Sequence, residues 1–190
     1  MQEKEKKRKK RRAYLDAFQK DEKGKYEYRG DIYIWQNDGE ELRRELLELW
    51  AVCAGMMAVL IAAGCVNAPG SINCAYVLIP YTISFLVGIS VCWGMYRLTA
   101  GGHPLRAYVY QASIEQIPGR AVCTALGAGA SIAGELIYVF RNGTEEKKAG
   151  FICFLLLEGA ALAAALIIRQ RICQMKWKKK EKIAKEESVN

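Results

Sequence analysis

Four apolar runs, each about as long as a bilayer is thick, restrict this chain to very few folds. The first two, residues 49–66 and 74–96, carry no charge. The third, 121–140, holds Glu135 as its only charge, and the fourth, 149–168, holds Glu158. At ~1.5 Å per residue, about twenty residues cross a ~30 Å hydrocarbon core as a helix. With no water to bond the backbone there, helices and closed barrels are the structures that can span. The expected fold class is therefore an all-α integral membrane protein, with four transmembrane helices as two hairpins. A polar arm (1–45) precedes the bundle (46–170), and a basic tail (171–190) follows it. A two-span alternative would leave 126–140 and 151–168 as an apolar hairpin in water.

Charge sets the expected orientation. Of the 28 Lys and Arg, 14 precede the first span and eight follow the fourth. The connection 68–73 has none, and the segments 97–120 and 141–148 have three each. The positive-inside rule then puts both termini and the central connection in the cytoplasm of a multi-pass cell-membrane protein. The net charge of +8 reads as contact with a membrane surface. The basic run 4–12 and the tail 176–185 suit anionic lipid head groups, and no recognition module beside them points to nucleic acid. The first apolar run starts too far along the chain for a cleavable signal and is expected to stay as an anchor.

The polar arm has some pattern of its own. Residues 13–20 are expected to form a short helix. Residues 25–35, rich in Tyr, Ile and Trp around Gly30, suit a small β-hairpin. Its aromatics would lie at head-group level. Asp38 is the expected N-cap of a helix that runs from Gly39 into the first span. Pro80 should disturb the second span, with Ser84 placed to satisfy a freed carbonyl. The central connection suits either a strand or a helix.

The two glutamates are the candidate functional residues. A carboxylate inside a bilayer costs on the order of 2–3 kcal/mol or more, so it faces a partner, a cavity or a pathway. Ser131, Glu135 and Tyr138 share a face of the third helix with Gly127, and Ser131, Tyr138 and Thr124 are hydroxyl donors. No Lys, Arg or His lies in the spans, and desolvation favours a neutral Glu158. Two roles suit such a group: a carboxylic acid bonded to a neighbouring helix or partner, or a proton or cation site. Gly55, Gly88, Gly127, Gly129 and Gly159 are expected to let helices approach closely.

Other chemistry finds little support. The seven cysteines contain no Cys-x-x-Cys pair. Cys65 and Cys74 flank the first outer connection and could form a disulfide in an oxidising compartment, while the intramembrane cysteines read as packing residues. His103, the only histidine, lies in a connection. No metal site, cofactor, serine elbow or phosphate loop is expected, and an enzyme is not. The preferred role is a non-catalytic membrane subunit or accessory protein, binding a membrane protein or a second copy of itself. The alternative is a small proton- or cation-coupled transporter using Glu158 and Glu135.

Overall fold

The computed structural model describes residues 18–20, 26–28, 30–36, 39–143 and 148–180. Four long helices dominate it: α1 (Gly39–Cys65), α3 (Ala75–Ala100), α5 (Ile117–Asn142) and α6 (Lys148–Gln174). Each is 26 or 27 residues long, about 40 Å at ~1.5 Å per residue. All four are long and apolar enough to cross a membrane. Two short helices, α2 (Pro69–Asn73) and α4 (Ala107–Ala112), sit in the connections after α1 and α3.

The outward faces are apolar too, as lipid requires and water does not. On α3, Leu78, Ile79, Ile83, Leu86 and Ile89 are all exposed, as are Leu156, Leu166 and Ile167 on α6. The inward face of α1 follows a coiled-coil-like spacing: Leu49, Cys53, Met56, Leu60 and Ala63 are buried, which keeps one seam toward its neighbours. Helix α3 packs on α5, α5 on α6, and α6 on α1; α1 and α3 close the ring with a smaller contact. Before its apolar run, α1 is already helical. There Glu45 and Glu48 pair with Arg171 near the end of α6, at 3.4 and 3.6 Å.

The polar segments differ from expectation. Phe18–Lys20 is a strand, β1, so the short helix expected over 13–20 is corrected at its described end. It pairs antiparallel with β2 (Tyr26–Tyr28). The runs on either side of Gly30 are both strands, but they do not pair with each other. β3 (Ile32–Trp35) instead lies between β4 (Leu105–Arg106) and β5 (Trp177–Lys180) in one antiparallel sheet. A lone hairpin is marginal, whereas three strands packed on helices gain a buried face. The central connection uses both alternatives, strand β4 and then helix α4. Asp38 lies outside the described residues.

This sheet gathers the N-terminal segment, the central connection and the tail at the same end of the bundle, the sheet end hereafter. Aromatic packing fixes it there. Tyr33 stacks on Tyr110 of α4 with ring centres 3.9 Å apart. Trp35 meets Trp177 edge-on at 5.3 Å, and Leu105 is fully buried. The Tyr28 hydroxyl donates to the Asp31 carbonyl and accepts the Ala107 amide, both at 3.2 Å.

Candidate intramembrane polar site

Glu158 is fully buried in the middle of α6. Ser131 of α5 donates its hydroxyl to Glu158 Oε2 at 2.9 Å. The same hydroxyl lies 2.9 Å from the Ala128 carbonyl, which can only accept. Ser131 has one proton for these two contacts. When it serves Ala128, a protonated Glu158 must supply the hydrogen to Ser131. The geometry therefore accommodates a neutral carboxylic acid bridging α6 to α5. Glu158 Oε1 is buried without a hydrogen-bond partner.

The surrounding polar groups are engaged with backbone. Tyr81 of α3 donates to the Leu60 carbonyl of α1 at 2.8 Å. Its hydroxyl fills the space where a Cβ on Gly64 would lie, so that glycine admits the contact. Ser84 donates to the Thr124 carbonyl of α5 at 3.0 Å. Ser84 was expected to relieve a carbonyl freed by Pro80 within α3; it crosses to α5 because the two helices are in close contact there. Thr124 bonds back to the Arg120 carbonyl at 3.1 Å.

Glu135 is fully buried one turn beyond Ser131, about 6 Å along α5. Its partner is on neither neighbouring span. The Gly70 amide of α2 donates to Glu135 Oε1 at 3.0 Å, and Oε2 is buried without a partner. A Cβ on Gly70 would lie 2.5 Å from Oε2 and 3.1 Å from Tyr138 Cβ. Glycine is what lets α2 settle on this carboxyl. Tyr138 lies against the same turn as packing, and its carbonyl accepts from Asn142 at 3.1 Å. The glutamates thus occupy separate places: Glu158 with Ser131 within the bundle, Glu135 and Tyr138 under α2.

The glycines divide into two classes. A Cβ on Gly127 would lie 3.0 Å from the Pro80 carbonyl and the Ser84 Cβ, and one on Gly88 3.2 Å from Leu60. Gly129 has ordinary contact with Leu162 at 3.6 Å, and Gly55 and Gly159 meet nothing within 4 Å. The close packing expected at Gly55 and Gly159 is therefore absent among the described residues. Sequence reasoning missed Gly134, whose Cβ would lie 2.8 Å from the Tyr76 carbonyl. Pro80, four residues after Tyr76, lacks the N–H that this carbonyl would otherwise accept.

Cys65 and Cys74 are both free thiols, so the disulfide suggested for them is not formed in this structure. Helix α2 and its flanks separate them in sequence. The close thiol pair is a different one: Cys53 of α1 and Cys92 of α3, with sulfurs 2.9 Å apart. Arg120, at the start of α5, donates to the Ser90 carbonyl of α3 at 2.9 Å. The chain matches no known protein-family pattern, curated protein or solved structure.

Proposed function

We propose that this multi-pass membrane protein is a non-catalytic subunit or accessory protein of the cell membrane. Its spans form two hairpins, with both termini in the cytoplasm. The sheet is the observation that carries this reading. It links three separate polar segments at one end of the bundle, the end that carries Arg106, Arg171, Lys178 and Lys180. Lys178 and Lys180 are exposed on its β5 strand, in reach of anionic head groups or an acidic partner. Inside the bundle, Glu158 bonds to the neighbouring α5, which suits a structural acid. A Cβ on Gly55 or Gly159 would meet no other described element within 4 Å, which leaves room for a partner helix or a second copy to approach.

Gentle-detergent purification from the native host tests this reading. A membrane protein should co-purify, and the Lys178→Glu, Lys180→Glu variant should release it while the bundle stays folded. Recovery of only a monodisperse, unaccompanied monomer would count decisively against the subunit role.

The partnerless oxygens of Glu158 and Glu135 favour a second reading, a small proton- or cation-coupled transporter. On that reading Glu158→Gln, reconstituted in vesicles, abolishes pH-gradient-driven flux of a substrate that the parent carries. Unchanged flux removes it.

A further inference from the structure

Cys53 and Cys92 occupy the same five-residue pattern on two different spans. Val52-Cys53-Ala54-Gly55-Met56 lies in α1 and Val91-Cys92-Trp93-Gly94-Met95 in α3. The structure places the two cysteines face to face, sulfurs 2.9 Å apart. Met56 and Met95 are both fully buried in the same core, with Met57 packed against it. Residues three apart share a helix face, so each methionine lies on the side of its own cysteine. The two helices run in opposite directions. Met56 is therefore displaced about 4.5 Å from the thiol pair toward the α2 end, and Met95 about 4.5 Å toward the sheet end. Gly88 leaves room for Met56 and Met57, since a Cβ there would meet Met57 Sδ at 3.3 Å and Met56 Cε at 3.7 Å. Two thiols in an apolar seam, with a buried methionine one helical turn from each, offer a soft donor set.

We propose that Cys53 and Cys92, flanked by Met56 and Met95, form a binding site for a monovalent soft cation, Cu(I). Thiolate and thioether ligands select Cu(I). Coordination number supports Cu(I): a structural Zn2+ takes four ligands, and among the described residues no third Cys, His, Asp or Glu joins the pair. Binding breaks one S–H bond and releases one proton to the medium; thiolate and Cu(I) together are then neutral, as an apolar seam requires. No electron moves in this step. Two sulfurs on one ion sit up to ~4.6 Å apart, from a metal–thiolate bond of about 2.3 Å, so Cys53 and Cys92 must separate on loading. The α1–α3 contact is the smallest of the ring, which is where such a movement meets least packing.

The test titrates the reduced full-length protein in detergent with Cu(I) held by a chromogenic chelator. One Cu(I) should bind per chain, and X-ray absorption should show a shell of sulfur alone. Cys53→Ser and Cys92→Ser should each lower the affinity by about tenfold or more, ~1.4 kcal/mol. Met95→Leu, which keeps volume, should weaken binding while leaving the melting temperature unchanged. It also keeps the test open if a cysteine variant fails to fold. Equal uptake by both cysteine variants and Met95→Leu would overturn the site. So would nitrogen or oxygen in the shell, or a Cys53–Cys92 disulfide that takes up no copper once reduced.

Discussion

The Ser131–Glu158 contact gives the sharpest test of single side chains. Ser131→Ala leaves a carboxyl buried in the bundle with neither oxygen bonded. An unpaired buried polar group costs about 1–3 kcal/mol, against an average near ~0.6 kcal/mol for hydrogen bonds between membrane helices. Ser131→Ala should therefore destabilise by about 1–3 kcal/mol in a detergent-unfolding titration. Glu158→Gln keeps the shape and the acceptor and should cost less than about 1 kcal/mol. A larger loss in Glu158→Gln than in Ser131→Ala would contradict a structural acid. Outside the membrane, His103 stacks beside Trp177 with ring centres 6.1 Å apart, and desolvation lowers its pKa from the usual 6.5. The unfolded chain then binds the proton more readily than the folded one. The stabilising contribution of neutral His103 is complete above about pH 6.5 and declines as the pH falls through that value. An acid-induced loss of stability with that onset should be reduced in His103→Phe, measured by thermal melting across pH 5–8. At this scale the sequence exposed the shared face of Ser131 and Glu135. It concealed the partner of Glu135, because the donor is a backbone amide 65 positions away and an amide leaves no mark in a side-chain pattern.

Helix α5 shows how element packing depends on two glycines. Gly127 and Gly134 are seven residues apart, two turns along the same face, and both are pressed against α3 backbone atoms. A side chain there pushes against the Pro80 and Tyr76 carbonyls, which cannot rotate away. Gly134→Val should destabilise by about 1–3 kcal/mol from overpacking. Gly55→Ala, in open space on α1, should be neutral or slightly stabilising as alanine replaces glycine in a helix. Equal effects of the two would remove α5–α3 contact as the reason for Gly134. The spans themselves were legible from apolar length, because the bilayer imposes that length on any helix crossing it. Strand β5 was not. Its Lys178-Lys179-Lys180 run has weak strand preference, and pairing with β3 along Trp35, Ile34, Tyr33 and Ile32 decides its conformation.

For the whole molecule, the sheet makes a topological prediction stronger than charge alone. Residues 32, 106 and 180 stand opposite one another in adjacent strands of the sheet, so they belong on one side of any membrane the helices cross. Exposed Cys173 lies toward the sheet end and exposed Cys65 at the opposite end. In variants retaining one of the two, an impermeant thiol reagent added to intact cells should label Cys65 and spare Cys173. Labelling of both from outside would refute the even-span arrangement, and labelling of Cys173 alone would invert it. The sequence by itself determined that four runs are long and apolar enough to span, and how rare their charges are. Those follow from the cost of placing backbone and charge in hydrocarbon, which is counted residue by residue. Tertiary structure alone decided that Glu158 meets Ser131, that Gly70 covers Glu135, that Cys53 faces Cys92 and that three polar segments share a sheet. Each joins residues from separate spans or loops, and which helix faces meet is decided by packing of the whole bundle.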